Sequence, residues 1–286
     1  MKRLVWLICM CSTIVGAVEK VEQVKEGHLA LPTSQQPSPL FAYGQNIVDK
    51  GNTQFESYID YHFGKGDDYV DILPGVLYGV SDRFSLFLNV PVTPLYHSGC
   101  NRSSGIEDIF IQGEYAAYYK DKPRTTTMVT LVGALYMPTG SATKKPHTGA
   151  GAPSFYLGTT ISYLSVDWYF FAAPGAFLNT ASLGTHFGNS FLYQGGLGHI
   201  IASKADTYIF TGILELFGIL SGKDRINGVI DPNTGSNLPY VGPTLWFSTQ
   251  KIFLQFGILF PVSQRLNGIQ NKQTALFAFD FGYKFN

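Results

Sequence analysis

The sequence predicts an all-β protein, a 12-stranded antiparallel transmembrane β-barrel with up-and-down topology. Three observations lead to this prediction: an export-type N-terminus, strands of 10 to 14 residues with alternating faces, and connections that alternate between tight and long. The last residues, FAFDFGYKFN at 277–286, show the alternation clearly, with aromatic residues on one face and small or charged residues on the other.

Composition excludes the other common classes. Charged residues make up 14% of the chain, below the ~25% of ordinary soluble domains, while aromatic residues reach 15%. Downstream of the N-terminus no apolar run approaches the ~20 residues of a membrane-spanning helix. The formal net charge is zero, which gives no reason to expect a nucleic-acid partner.

The N-terminus has the parts of a secretory signal peptide, which we assign to residues 1–17. Lys2 and Arg3 precede an apolar stretch, and Val15 and Ala17 are small residues at the cleavage positions. Cleavage after Ala17 removes two of the three cysteines. Cys100 is then the only thiol, so no disulfide is expected within the mature chain.

Residues 18–48 differ from the rest of the chain, because they mix charges with three prolines that disfavour regular structure. We interpret them as a leader that is flexible or partly plugs the lumen. Residues 49–286 then form the barrel. Strands are predicted at 53–63, 69–80, 83–92, 106–119, 126–137, 154–164, 167–178, 189–201, 206–219, 238–248, 251–262 and 274–285.

The connections are sorted by length. Tight links such as SD, KDKPRT, SV and TQ alternate with long ones such as TPLYHSGCNRSSG, PTGSATKKPHTGAGAP and LSGKDRINGVIDPNTGSN. Only GKGDD, after the first strand, is a short link at the end of the barrel where the other links are long. An even strand count places both barrel ends at the tight-turn side, as in outer-membrane barrels.

One face of each strand is apolar and is expected to contact lipid, because a charge there costs ~2–4 kcal/mol for Arg or Lys at the bilayer midplane. The opposite face is expected to line the lumen. The candidate lumen-lining residues are Glu56, Asp60, His62, Asp71, Asp108, Gln112, Glu114, Glu215, Gln255, Asp280 and Lys284. Aromatic residues near strand ends are expected in the interfacial girdles, namely Tyr61, Tyr119, Trp168, Tyr169, Tyr240 and Trp246.

Two interpretations of the acidic lumen remain open. Acidic rings favour cations over anions in a pore. Alternatively, these groups satisfy one another or bound water in a plugged lumen, since buried charges are usually paired.

The sequence predicts no enzyme, no cofactor and no metal site. It contains no phosphate-binding Gly-Lys loop, no CxxC, no HExxH and no GxSxG, and its histidines are scattered singly. His62, near Asp60 and Glu56 on one wet face, is the nearest approach to an acid–base cluster. A membrane-embedded hydrolase would need that histidine, and its activity should disappear when His62 is replaced.

Several segments resemble the outer-membrane transporter family named after the meta-pathway of phenol degradation. They are the turn YGVSDR at 78–83, the strand start GIED at 105–108 and PTG at 138–140. The resemblance spans most of residues 50–286. It implies a barrel that passes hydrophobic or aromatic compounds across the outer membrane, with no binding residues to carry over.

The first functional hypothesis is therefore a channel for passive uptake of small molecules through a polar, acidic lumen, located in the outer membrane of a Gram-negative-type bacterium. The alternative is a closed structural or adhesive barrel that acts through its long extracellular loops. Expected partners are outer-membrane lipid and lipopolysaccharide, a small-molecule solute, and the barrel-assembly machinery. The C-terminal strand resembles that machinery's recognition signal, although Asn286 follows the last aromatic residue.

Overall fold

The strands of the chain form one closed antiparallel barrel. The computed structural model describes residues 31–285, so the predicted signal peptide and the first part of the predicted leader lie outside the described residues. Within that range the only helical turn is a 3₁₀ turn, Thr33–Gln35, and no helix is long and apolar enough to cross a membrane.

Nineteen strands are present among residues 31–285, and most of them are barrel staves. Their bounds are β1 Thr53–Gly64, β2 Asp67–Ser81, β3 Phe84–Asn89, β4 Val92–Ser98, β5 Asn101–Ile106, β6 Phe110–Lys122, β7 Thr125–Tyr136, β8 Ser154–Ser165, β9 Trp168–Asn179, β10 Ala181–Ser182, β11 Thr185–His186, β12 Ser190–Lys204, β13 Tyr208–Ser221, β14 Arg225–Ile226, β15 Val229–Ile230, β16 Ser236–Thr249, β17 Ile252–Pro261, β18 Arg265–Leu266 and β19 Gln273–Lys284.

The predicted fold class is confirmed: the barrel has 12 antiparallel strands when β3 with β4, and β5 with β6, are each counted as one interrupted strand. Each strand pairs with its neighbours in sequence, and β1 pairs with both β2 and β19. The register Ile59↔Phe279 belongs to the pair that closes the cylinder. Closure leaves no open sheet edge to face lipid.

The two ends of the barrel differ as the sequence indicates. At one end, which we call the tight-turn end, the strands are joined by links of two or three residues. At the other, the long-loop end, β1–β2 and β4–β5 are joined by two-residue turns, but the connections after β7, β9, β13 and β17 are long. Two of these loops add a small sheet of their own, in the order β10-β11-β14-β15.

The third and fourth strands differ from the prediction. Residues 93–105 were expected to form a loop, but β4 and β5 continue the barrel wall as a hairpin, with His97 opposite Arg102. Pro91 lies between β3 and β4. Because proline has no N–H, the hydrogen-bond ladder is interrupted there, but the chain continues in the same direction. The carbonyl of Pro91 accepts the N–H of Glu107.

The outer surface of the barrel is an apolar belt. Alternate residues along the staves are exposed while their sequence neighbours are buried, as in β8 and β9. The exposed set includes Leu86, Leu131, Leu157, Ile161, Leu214, Phe256 and Phe279. This is the surface that a lipid-facing wall requires.

Candidate functional site in the barrel lumen

The part of the lumen near the tight-turn end is occupied by residues 31–48, which we call the lumenal segment. It begins at the tight-turn end, where Leu31 packs with Tyr169, Trp246 and Phe253. It returns to the same end, where the N–H of Val48 donates to Ser85 Oγ over 2.9 Å. The segment is therefore an inserted loop with both ends at the tight-turn end.

At the apex of the lumenal segment the chain bends at residues 40–43. Gly44 follows this bend and has a φ of 96°. A Cβ at this position would lie 2.6 Å from Thr160 Oγ1 and 2.7 Å from a methyl group of Val132. Glycine is therefore required both for the backbone conformation and for the close approach to the wall. Thr160 also donates its hydroxyl to the carbonyl of Tyr43, over 2.5 Å.

Two of the predicted lumen acids bind backbone amides of the lumenal segment. Glu215 accepts the N–H groups of Leu40 and Phe41, at 3.1 and 3.2 Å, one on each carboxylate oxygen. Glu114 accepts the backbone N–H of Asn46 at 2.8 Å and its side-chain amide at 3.1 Å. Hydrogen bonds to carboxylates are stronger than neutral ones, so these acids anchor the segment.

Amide and hydroxyl side chains of the wall satisfy the segment's carbonyl groups. Gln194 donates to the carbonyl of Phe41 at 2.7 Å, and Gln255 to that of Ser38 at 3.0 Å. Ser248 donates to the carbonyl of Gln35 at 2.6 Å. An irregular segment can lie in the lumen because its polar backbone groups find such partners.

Tyr43 connects the apex to the aromatic wall. Its hydroxyl lies 3.3 Å from that of Tyr136, and its ring packs against Tyr156 and Phe177 at centroid distances of 4.3 and 5.8 Å. Burial raises the pKa of the Tyr43 hydroxyl, so the phenol keeps its proton near neutral pH.

A cavity of about 260 Å³ borders the lumenal segment, and we call it the lower cavity because it is the nearer of two cavities to the tight-turn end. Residues 38–43 form part of its lining, together with aromatic and polar side chains of the wall. Of the candidates from the sequence, it brings together Glu56, Asp60, His62, Gln112 and Asp280.

A second cavity of about 440 Å³, the upper cavity, lies toward the long-loop end. The two cavities share Tyr43, Asp60, Leu73 and Phe110 in their linings, so they are adjacent. The sequence candidates Asp71 and Asp108 line the upper cavity, as do residues 147–150 of the long loop 137–153.

The upper cavity contains a compact acidic group. Asp60 and Asp71 lie directly opposite each other on β1 and β2. Thr93 Oγ1 lies 2.8 Å from Asp71 Oδ1 and 2.5 Å from Glu107 Oε1. His62 Nε2 is 3.6 Å from Asp60 Oδ2, and its ring stacks on Tyr69 at 4.1 Å.

Asp108 holds the loop 137–153 against the wall. Its two oxygens accept the N–H groups of Gly140 at 2.9 Å and Ala150 at 2.8 Å. Thr139 Oγ1 donates to the carbonyl of Glu107 and accepts the N–H of Ile109, both at 2.8 Å. The GIED and PTG motifs therefore contact each other and form a clasp at the base of the loop.

The YGVSDR motif holds the point where the lumenal segment meets β1. Gly79 exchanges backbone hydrogen bonds with Gly51 and Asn52, and a Cβ on Gly79 would collide with the carbonyl oxygens of Val48 and Asp49. Asp82 accepts the N–H of Lys50 at 3.1 Å. Nearby, Lys284 Nζ lies 3.2 Å from Asp49 Oδ2, so this predicted lumen residue forms an ion pair at the tight-turn end.

Four of the predicted girdle aromatics are inside the barrel, so that prediction was wrong for them. Tyr169, Tyr240 and Trp246 are almost fully buried, and Tyr119 packs with Ile47 and Met128. For Tyr119 the cause is a bulge between Ala116 and Tyr118, which shifts the alternation by one residue. The others pack against or near the lumenal segment, which gives the inner wall an apolar lining that a water-filled lumen lacks.

The sequence interpretation missed several residues of the site. Glu107 was overlooked because it lies between β5 and β6, where no alternation defines the direction of its side chain. The residues of the lumenal segment that bind the wall could not be identified from the sequence, because the prolines of this segment indicated only irregular structure. Asn89 could have been predicted from alternation, since it follows the exposed Leu88 in its strand, and Gln194 could have been predicted because it shares a face with the buried Leu192. Thr93 could not, because residues 93–105 were interpreted as a loop.

The fold and lumen together define a protein of the outer-membrane β-barrel class. A family model described as "Putative MetA-pathway of phenol degradation" matches residues 39–272, and the chain belongs to that family. The resemblance noted in the sequence is thereby confirmed. No curated protein matches the chain by sequence.

Solved structures with the same fold include an outer-membrane channel from Pseudomonas putida F1. It shares 14% identity and a TM-score of 0.68, with 87% of this chain and 100% of that chain covered. The NanC porin is 12% identical with a TM-score of 0.48, with 81% of this chain and 100% of that chain covered. Family and fold together support an outer-membrane location.

Proposed function

We propose that this protein is an outer-membrane channel for passive uptake of small molecules, and that the lumenal segment closes its inner half. The observation that carries the proposal is the pair of adjacent cavities at the long-loop side, whose lower member has residues 38–43 in its lining. A solute that enters from the long-loop end reaches this segment before it can leave at the tight-turn end.

The two adjacent cavities favour transport over a purely structural role. In a barrel with only a structural role, side chains would fill the whole lumen, as they often do in small barrels. Membership of the family and the likeness to the Pseudomonas putida F1 channel support the same function. The aromatic rings in the lining, such as Phe87, Phe110 and Phe177, suit solutes with an apolar or aromatic body.

Conductance in a planar lipid bilayer tests this proposal. We expect small or infrequent openings for the full-length mature protein. A variant that lacks residues 32–47 should conduct more, because the amide and carbonyl groups anchored at Glu114, Glu215, Gln194 and Gln255 are then absent from the lumen. Equal conductance of the two proteins would contradict closure by the segment, and absence of conductance in both would contradict the channel.

A milder variant keeps this test independent of the deletion's effect on folding. Replacing Glu114 and Glu215 together by Gln leaves one acceptor oxygen per side chain and removes the negative charge that attracts the segment's amides. Openings should become more frequent without a change in the chain's length. Asp206→Asn, in an exposed turn at the tight-turn end, is the control for removing a carboxylate outside the lumen.

A second candidate is a closed barrel that acts through its loops, and the small sheet β10-β11-β14-β15 favours it. This sheet exposes Leu183, Ile226, Val229 and Ile230 beyond the barrel. Such a cluster suits adhesion to another molecule. Deleting residues 222–235 would then abolish binding while leaving conductance unchanged, whereas the channel proposal requires conductance to depend on the lumen.

The remaining expected partners belong to the same proposal. The apolar belt is suited to outer-membrane lipid and lipopolysaccharide, and the alternating aromatic strand β19 to recognition by the barrel-assembly machinery. We propose no catalytic role for His62, whose ring lies beside Asp60 and stacks on Tyr69.

A further inference from the structure

The acidic groups around the two cavities have few basic partners. Asp60, Asp71 and Glu107 lie around the upper cavity, and Glu56 and Asp280 line the lower one. Within residues 31–285, the basic side chains in these two linings are His62 and His147. Lys284, a predicted lumen residue, is instead paired with Asp49 at the tight-turn end.

The arrangement of these acids is unfavourable when all of them are ionised and no cation is present. Asp60 and Asp71 are direct cross-strand neighbours, and like charges in that position repel. Thr93 has one hydroxyl proton but two carboxylate neighbours, Asp71 and Glu107. By contrast, Glu114 and Glu215 accept hydrogen bonds from amides of the lumenal segment. The carboxyl groups that lack such donors are therefore those around the cavities.

Neutral acceptors in the same lining give a second, independent observation. Asn89 and Gln194 line the lower cavity and are only 1% and 5% exposed. Their amide nitrogens donate to the carbonyls of Leu73 and Phe41, which fixes the orientation of each amide. Their oxygens have no hydrogen-bond partner in the described part of the chain, and neither do Asp60 Oδ1 and Asp280 Oδ1. Buried acceptors of this kind normally have donors.

Aromatic rings complete the lining of the lower cavity. Phe87, Phe110, Phe177 and Phe217 come from four different strands, and Phe41 comes from the lumenal segment. A cation near the face of such a ring is attracted by its quadrupole. The ligand that matches this lining therefore has a positive, hydrogen-donating group and an apolar body.

A metal ion is a poorer match. Among residues 31–285, no group of three or more His, Cys, Asp or Glu side chains is placed to hold one. A hollow of about 150 Å³ accommodates benzene in another protein, so the lower cavity, at about 260 Å³, has room for a ring with a short substituent.

We propose that the two cavities form a binding site for an organic ammonium compound with an aromatic or similarly compact apolar body. Its ammonium group would lie among the carboxylates of Asp60 and Asp280, and its ring among the phenylalanines of the lower cavity. This inference deepens the proposed function by naming the class of solute, and its transport consequence rests on that function.

Binding to the purified full-length protein tests the site directly. Benzylammonium, benzyl alcohol and benzoate share one ring and differ in charge, while methylammonium keeps the charge and lacks the ring. Isothermal titration calorimetry in a zwitterionic detergent should give the tightest binding for benzylammonium. Equal binding of the three ring compounds would overturn the role of charge, and equal binding of methylammonium would overturn the role of the ring.

The variant Asp60→Asn/Asp280→Asn tests the residues. It should bind benzylammonium at least about tenfold more weakly, since one hydrogen bond to a charged group is worth about 1.5 kcal/mol or more. Asp206→Asn, which removes a charge far from the cavities, should bind like the wild type. If the double variant does not fold, Asp280→Asn alone replaces it, and unchanged affinity in the folded variant overturns the assignment.

Channel and binding outcomes are separable. Benzylammonium binding without conductance, even after deletion of residues 32–47, would leave the site in place and overturn the channel. Conductance without any preference for benzylammonium over benzoate, in binding or in flux, would leave the channel in place and overturn the site.

Discussion

Carboxylates inside the barrel fall into two groups according to what faces them. Glu114 and Glu215 each accept two hydrogen bonds from amide groups of the lumenal segment. Asp60 and Asp71 face each other and the cavities instead. The same residue type therefore anchors the segment in one place and brings carboxyl groups close together around the cavities in another.

Gly44 is the residue on which the apex of the lumenal segment depends most. Gly44→Ala forces a side chain into a backbone conformation with positive φ and against Thr160 and Val132. Positive φ alone costs a non-glycine residue about 1–2 kcal/mol, and such a cost changes an equilibrium about fivefold to thirtyfold. We expect the ratio of barrels with the lumenal segment in place to barrels with it displaced to fall by that factor. The measurement is an increase in channel open probability.

Gly51→Ala is the matched control for this substitution. Gly51 also has a positive φ, of 79°, but a Cβ there meets nothing within 4 Å. The strain is similar, while the position lies outside the lumen and near the start of β1. Equal effects of the two substitutions on open probability would mean that the contact of Gly44 with the wall does not control the channel.

The direction of each strand's side chains could be predicted from alternation, because lipid tolerates only apolar groups on the outer face. The inner face was less predictable. Tyr169, Tyr240 and Trp246 look like girdle residues in the sequence, yet they are inside. Alternation cannot distinguish an aromatic residue that faces lipid from one that packs in the lumen, especially where a bulge shifts the phase, as at Tyr119.

At the scale of elements, the clasp between the start of β6 and the loop 137–153 shapes the upper cavity. Asp108 uses both oxygens, and an Asn in its place offers one acceptor and turns an N–H₂ group toward an N–H donor. Each lost hydrogen bond to a carboxylate is worth about 1.5–3 kcal/mol. Asp108→Asn should therefore raise the population of the detached loop at least about tenfold.

Limited proteolysis measures this effect. Trypsin should cut after Lys144 faster in Asp108→Asn than in the wild type, because the loop must leave the wall to enter the protease. Asp82→Asn is the control, since Asp82 accepts one loop N–H at the opposite end of the barrel. An unchanged rate of cleavage after Lys144 would show that other contacts, such as that of Lys144 with the carbonyl of Ser104, hold the loop.

The elements themselves were predictable where they are regular. Strand length and turn chemistry located the twelve staves, because a tilted crossing of the bilayer requires strands longer than those of ordinary sheets. The hairpin of β4 and β5 was interpreted as a loop, since Pro91, Pro94 and Gly99 are turn-type residues. The hairpin is held by the neighbouring strand β2, as where Ser98 donates its hydroxyl to Asp67, and this contact requires the tertiary context.

At the scale of the whole molecule, the barrel has a direction that its loops define. The lumenal segment enters and returns at the tight-turn end, and the cavities lie toward the long-loop end. In an outer-membrane barrel the tight turns are periplasmic and the long loops extracellular. Solute from outside would then meet the acidic cavities first and the lumenal segment afterwards.

Cys100 allows this direction to be tested in whole cells. It is exposed at the turn between β4 and β5, at the long-loop end, and it is the only thiol expected in the mature chain. A membrane-impermeant maleimide added to intact cells should therefore label the wild type. The comparison variant is Cys100→Ser with Asp206→Cys, which moves the thiol to an exposed turn at the tight-turn end. This variant should react only after the outer membrane is permeabilised, because the bilayer separates the reagent from the periplasmic turns. Labelling of the moved thiol in intact cells, with protection of Cys100, would mean that the barrel has the opposite orientation and that the lumenal segment closes the outer mouth.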